Sequence, residues 1–252
     1  MQIIGNGMIA KSLHPHQDQF PDYVVFASGV SNSLEENPKA FEREYDLLYK
    51  TLHECREEGH CLLYFSSGGT IYGNYEQPRT ESSPVFPLNA YGRHKLFCEA
   101  IIERSGVDYL ILRLPQLVGS KQNPNQLVSR LVEQACAGHA KIYDWATRDL
   151  LDVDDLMRII NHILVLRLHN ETLVVASGYS VSVRHIFDEI QLALATNAEI
   201  TTLERGDRQQ YDISKLKRLI PDELTFTSDY YKTIIHKYAH QLANTATGQT
   251  NR

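Results

Sequence analysis

Short, uninterrupted apolar runs alternate with longer stretches in which apolar residues recur every three or four positions. Runs of the first kind mark strands buried on both faces of a parallel sheet, and stretches of the second kind mark helices packed against it. The alternation predicts an α/β fold. Strands are expected at residues 2–4, 23–27, 61–65, 107–112 and 173–176, and helices at 38–58, 90–104, 126–137, 154–167, 183–195 and 229–242. Along residues 38–58, Phe41, Tyr45, Leu48, Leu52 and Cys55 fall on one stripe, and Gly59 stops the helix. The interval 11–22 holds one short helix and is too short to hold a strand, a helix and another strand.

Two local patterns carry chemistry. The first strand runs into Gly5-Asn6-Gly7-Met8-Ile9-Ala10. Glycines there permit a tight turn and a close approach to a pyrophosphate, and the following helix offers free N–H groups to that anion. The same residues also serve an ordinary tight turn. The second pattern is Tyr91-Gly92-Arg93-His94-Lys95, which places a phenol and an ammonium one helical turn apart. A nearby ammonium stabilises tyrosinate, so the phenol can exchange a proton with a substrate hydroxyl while a hydride moves to or from a nicotinamide. The alternative is a surface Tyr-Lys pair.

Composition narrows the function classes. At 252 residues the chain can bury one substantial core, or a core and a small second lobe. Its formal net charge of −6 argues against a nucleic-acid partner. The apolar runs fall short of the roughly 20 residues a membrane-spanning helix needs, and the first residues do not read as a signal peptide, so a cytoplasmic protein without a membrane partner is expected. Cys55, Cys61, Cys98 and Cys136 show no CxxC spacing and are read as small buried hydrophobes. His236 and His240 share a helical face but have no third ligand in sequence, so no metal site is assigned.

The run Leu62-Leu63-Tyr64-Phe65-Ser66-Ser67-Gly68-Gly69-Thr70-Ile71-Tyr72-Gly73, followed by Asn89-Ala90-Tyr91-Gly92-Arg93-His94-Lys95-Leu96, resembles the NAD-dependent epimerase/dehydratase family, the extended short-chain dehydrogenases/reductases. The likeness continues through Leu112-Arg113-Leu114-Pro115-Gln116-Leu117-Val118-Gly119, Arg148-Asp149-Leu150-Leu151-Asp152-Val153-Asp154-Asp155, Ala176-Ser177-Gly178 and Asp212-Ile213-Ser214-Lys215-Leu216. It implies a Rossmann-like parallel sheet flanked by helices, here lacking the usual second and third strands, with a small C-terminal substrate lobe. Residues 1–176 would form the nucleotide-binding domain, with 113–151 contributing partly to the lobe; 177–242 would form the lobe, and 243–252 a flexible tail.

The resemblance also implies a chemistry. Tyr91 would be the acid/base and Lys95 its pKa modulator and a partner of the nicotinamide ribose. Gly5, Asn6, Gly7, Met8, Ile9, Ser28, Gly29, Ser66 and Pro115 would join them around NAD or NADP, between which the sequence does not decide. Gln116 and Arg148 would meet a nucleotide sugar, Arg148 at its diphosphate, although a salt bridge to an acidic neighbour is an equal reading. The family places Ser or Thr where this chain has Gly68, so Ser67 or Thr70 is expected to supply that hydroxyl. The Asp-Glu pair of dehydratases is replaced by Gly69 and Thr70, which disfavours elimination. Epimerisation and 4-keto reduction remain, as does a catalytically silent scaffold that binds a partner or senses a nucleotide; Ile4, in place of a family glycine, favours the scaffold. Relatives pair through a two-helix face, and the helices here permit a homodimer.

Overall fold

In a computed structural model that describes residues 1–246, β1 (Gln2–Ile4), β2 (Tyr23–Phe26), β3 (Cys61–Ser67), β4 (Tyr109–Leu114) and β8 (Glu171–Val174) form one parallel sheet in the order β1-β2-β3-β4-β8. Strand β1 is an edge, paired only with β2, Gln2 opposite Val24 and Ile4 opposite Phe26. Beyond β1 the described residues form no further strand, as the short interval 11–22 required.

Side chains alternate across the sheet because successive strand residues point to opposite faces. Leu62 and Tyr64 of β3 pack with Leu48, Leu52 and Cys55 of α2 (Pro38–Glu58) and with Cys98 and Ile102 of α3 (Ala90–Arg104). Cys61, Leu63 and Phe65 face the other way, toward Leu13 of α1 (Met8–Leu13) and Ile159, Ile160 and Ile163 of α5 (Val153–Val165). The starts of α2 and α3 are built locally. Asn37 accepts from Lys39 N at 3.1 Å, and Asn89 accepts from Gly92 N at 2.8 Å. Gly59 closes α2 at φ +69°, a left-handed backbone that favours glycine.

A second core lies beside the sheet. Val128, Leu131 and Val132 of α4 (Leu127–Cys136), Ile186, Phe187 and Ile190 of α6 (Val183–Leu194) and Ile234, Ile235 and Tyr238 of α8 (Tyr230–Ala246) fill it. Short strands frame it, and the hydrophobic pattern did not announce them. These are β5 (Gln116–Val118), β6 (His139–Tyr143), β7 (Thr147–Asp152), β9 (Ser180–Ser182) and β10 (Glu199–Leu203). They form a β5-β7-β9 sheet and a β10-β6 pair. A single helical turn, α7 (Ser214–Lys217), packs Leu216 into the main core.

Two expectations change. Helix α8 continues to Ala246, so residues 243–246 of the anticipated tail are helical, and 247–252 lie outside the described residues. Cys136 is exposed at the end of α4, while Cys55, Cys61 and Cys98 are buried. Burial pushes the Cys98 thiol up to about 11.

Candidate active site

The site forms where β3 ends and α3 begins. The Asn89 cap fixes the first turn of α3, and one turn sends both Tyr91 and Lys95 inward; they are 9% and 3% exposed. Lys95 Nζ stands 5.9 Å from the centre of the Tyr91 ring. From the end of β3, Thr70 Oγ1 donates to Ser67 Oγ at 2.9 Å, and Ser67 stands near enough to Tyr91 to favour its ionised form. Both hydroxyls proposed from sequence, Thr70 and Ser67, are therefore bonded to each other beside the phenol.

Lys95 also has partners that the sequence did not suggest. Its ammonium donates to Glu44 Oε1 at 2.9 Å, Tyr64 OH at 3.2 Å and Phe65 O at 3.3 Å. Glu44, on α2, is fully buried and also accepts from Val30 N at 2.6 Å and Tyr64 OH at 2.8 Å, with His94 Nε2 at 3.2 Å from Oε2. Burial alone would raise its pKa, but Lys95, His94 and the Val30 amide outweigh burial and hold the carboxyl well below the ordinary range. Any ribose would have to share Lys95 with Glu44. Sequence reasoning missed this residue; its signal was a carboxylate one turn before Leu48 on the buried stripe of α2.

The phenol feels both charges. Burial raises the Tyr91 pKa, Lys95 and Ser67 lower it, Glu44 raises it again, and the net displacement is upward. Glu44, His94 and Cys98 also bring possible metal-ligand atoms within 4.8 Å of one another. The Lys95 ammonium at 2.9 Å already neutralises that carboxylate and opposes a cation there.

Gly68 has a steric cause. A Cβ there would lie 2.9 Å from Cε1 and 3.3 Å from the hydroxyl of Tyr211, so a phenol from the C-terminal part of the chain occupies the space of the absent side chain. The fully buried Arg79 locks this contact, donating to Gly68 O at 3.2 Å, Gly73 O at 2.9 Å and Arg208 O at 3.3 Å. Gln209 Nε2 adds a bond to Gly69 O at 3.1 Å. Neither Arg79 nor Tyr211 was distinguishable in sequence, because their partners lie up to 143 positions away.

The glycine turn closes the sheet end. Gly5 sits at φ +131°, and a Cβ on it would strike Ala27 O at 2.3 Å, so β1 and β2 can approach only with glycine here. Around Gly7 a Cβ would meet nothing within 4 Å, and Asn6 is exposed beside it; Met8 and Ile9 begin α1, half-buried. Ser28 O accepts from Arg43 Nη2 at 3.3 Å, and a Cβ on Gly29 would come within 2.6 Å of Lys95 Nζ. Ser66 Oγ, buried at the end of β3, has no hydrogen-bond partner among the described residues. An open turn with an orphaned hydroxyl nearby fits a bound nicotinamide dinucleotide.

Pro115 and Gln116 lie half-buried where β4 passes into β5. Arg148 is engaged by an acid. Its Nη2 meets Asp207 Oδ1 at 2.7 Å, and its Nη1 donates to Thr147 O and Asp207 O. The salt-bridge reading thus describes Arg148 here, and a diphosphate would have to compete with Asp207. His236 Nε2 rests 2.7 Å from Glu189 Oε1.

A parallel sheet with helices on both faces and a tyrosine, a lysine and two hydroxyls near the carboxyl ends of its strands is that of a dehydrogenase-type nucleotide-binding protein. The chain belongs to the NAD dependent epimerase/dehydratase family, which matches residues 10–176. It is 26% identical over 228 residues to a UDP-glucose 4-epimerase of Lacticaseibacillus casei, covering 79% of this chain and 68% of that protein. A Bacillus subtilis (strain 168) protein described as an uncharacterized UDP-glucose epimerase is 30% identical over 91 residues, 34% of this chain and 29% of its own length. A UDP-glucose 4-epimerase of Arabidopsis thaliana is 31% identical over 144 residues, 47% of this chain and 41% of that protein. The chain thus spans less than half the length of these last two relatives. Among solved structures, RMD from Pseudomonas aeruginosa complexed with NADPH superposes with a TM-score of 0.78 at 18% identity, covering 96% of this chain and 98% of that one. UDP-glucuronic acid 4-epimerase from Bacillus cereus, with UDP-glucuronic acid and NAD, gives 0.76 at 21% identity, covering 94% and 79%. Among the described residues no helix is long and apolar enough to cross a membrane.

Proposed function

We propose that this chain binds NAD or NADP and transfers a hydride at a carbon of a nucleotide-linked sugar, as a 4-epimerase or a 4-ketoreductase, with Tyr91 as acid/base. The observation that carries the reading is the grouping of the bonded Thr70–Ser67 pair with Tyr91 and a Lys95 ammonium 5.9 Å from the phenol ring. When bound, the dinucleotide supplies the hydride acceptor or donor. Tyr91 holds or releases the proton of the sugar hydroxyl at its phenolic oxygen, and Ser67 orients that oxygen. Gly5 to Ile9, Ser28, Gly29, Ser66, Lys95 and Pro115 are the residues that would surround the cofactor. Gln116 and Arg148 would face the sugar nucleotide, under a lobe built on the second core.

The test combines binding and turnover. Fluorescence of NADH and NADPH is expected to change on binding, and Tyr91→Phe is expected to abolish turnover while leaving cofactor affinity within about threefold. A screen of UDP-, dTDP-, GDP- and CDP-sugars, read by mass and NMR, separates the two reactions: unchanged mass with inverted stereochemistry is epimerisation, and a gain of two hydrogens is reduction. Full activity of Tyr91→Phe would remove Tyr91 from the mechanism.

A second reading, a catalytically silent nucleotide-binding scaffold, draws on one observation. Glu44 neutralises Lys95, and the Tyr91 phenol is displaced upward, away from the acidity that proton exchange requires. Failure of every sugar to turn over, with cofactor still bound, would favour it. A second copy of the chain would cover Tyr49 and Phe97, which stand 62% and 55% exposed on α2 and α3. Sedimentation equilibrium tests this homodimer, and a monomer at micromolar concentration would remove it.

A further inference from the structure

In a doubly wound sheet the dinucleotide lies across the carboxyl ends of the strands, and the strand that follows the first helix reads the adenosine ribose from beside β1. Here the strand that follows α1 is β2, which lies on the inner side of β1 and pairs with β3 on its other edge. Among the described residues no strand pairs with the outer edge of β1.

The residues that could have filled that flank are drawn to the wrong end of the sheet. After the 3-10 turn His14–His16, Gln17 O accepts from the amino group of Met1, at the start of β1. Gln19 O accepts from the same amino group. Asp22 O accepts from Cys61 N at 2.9 Å, at the start of β3. The three residues of β1, about 10 Å of strand, separate these contacts from Gly5. The first turn of α1 itself carries no acid to accept from a ribose 2′-hydroxyl or to repel a 2′-phosphate. Arg43, exposed on α2, turns its Nη2 to Ser28 O at 3.3 Å.

We propose that the dinucleotide site is blind to the adenosine end of its cofactor, accepting NAD, NADP and base-altered nicotinamide dinucleotides alike. The inference rests on the reading that a nicotinamide dinucleotide is bound. Its physical basis is that a site rejects an analogue strongly only when buried polar groups are left unpaired by it. Recognition here is confined to the glycine turn, Ser66 and the residues around Tyr91, which meet the pyrophosphate and the nicotinamide half.

The test titrates the whole chain with NADH, NADPH and reduced nicotinamide hypoxanthine dinucleotide, reading nicotinamide fluorescence. It is run at 0.3 M salt, on the order of a 5–6 Å screening length, so that the extra phosphate of NADPH adds little through long-range charge. Dissociation constants within about threefold of one another are expected. In competition, reduced nicotinamide mononucleotide should displace NADH and adenosine 5′-monophosphate should not. A preference of about tenfold or more among the dinucleotides, or displacement by adenosine 5′-monophosphate, overturns the proposal while leaving cofactor binding intact. If none of the dinucleotides binds, the functional reading itself has failed and the proposal falls with it.

Discussion

Glu44 in the sheet domain and Asp149 at the start of the second core are both fully buried carboxylates, and their surroundings push them in opposite directions. Glu44 meets a whole positive charge, Lys95 at 2.9 Å, together with His94 and the Val30 amide. Asp149, in β7, meets backbone dipoles: Ser177 N at 3.0 Å and Gly178 N at 2.8 Å. Burial raises the Asp149 pKa from 3.8 to about 7, and the amides only partly offset it. Two hydrogen bonds satisfy geometry without supplying the charge that replaces lost hydration. The site region is thus an ion pair held in low dielectric, while the junction region is held by a group that prefers its proton.

The largest effect should come from breaking the ion pair. Lys95→Met leaves Glu44 buried without a counter-ion and is expected to cost about 3–5 kcal/mol, measured by urea unfolding at pH 7.5. Adding Glu44→Gln should recover most of that loss, since removing both charges removes the uncompensated one. If the single and double variants are equally unstable, the pair is not the source of the loss.

A smaller effect separates the two acids by pH. Glu44 is depressed in the fold, so its contribution is present above about 4.5, its ordinary value, and is lost as pH falls below that. Asp149 is raised, so its contribution is present below its ordinary value of 3.8 and is lost as pH rises toward about 7. Between pH 4 and 7 the Asp149 group should therefore remove stability on the order of 2–3 kcal/mol as pH rises, a slope that Asp149→Asn flattens. Parallel pH slopes in the two proteins would break the contrast.

The smallest effect calibrates the solvent-screened end of the comparison. Arg148 and Asp207 pair at 2.7 Å with side chains 19% and 34% exposed. Asp207→Asn should cost no more than about 1 kcal/mol by the same urea assay, because water screens the pair. A loss matching that of Lys95→Met would mean that Arg148 is held as tightly as Lys95.

Legibility followed distance along the chain. Helix α2 was readable from its stripe and its glycine stop, because those signals lie within a few residues. Strands β5 and β9 have three residues each, and their pairing, Gln116 with Leu150 and Val181 with Arg148, depends on residues more than thirty positions apart. No local periodicity records such pairs. Tyr91 and Lys95 were readable because one helical turn joins them; Glu44 was not, because it lies 51 positions before Lys95.

From its residues alone this chain determined the alternation of strand and helix, the shortness of the interval 11–22, and the phenol and ammonium that share a face of α3. Local hydrogen bonding and side-chain periodicity act within a few residues, so those features needed nothing else. Packing decided the rest: that Lys95 answers to Glu44, that Tyr211 fills the space above Gly68, and that Arg148 is held by Asp207. Each is an encounter between distant segments, and burial makes it strong by removing the water that would otherwise weaken it.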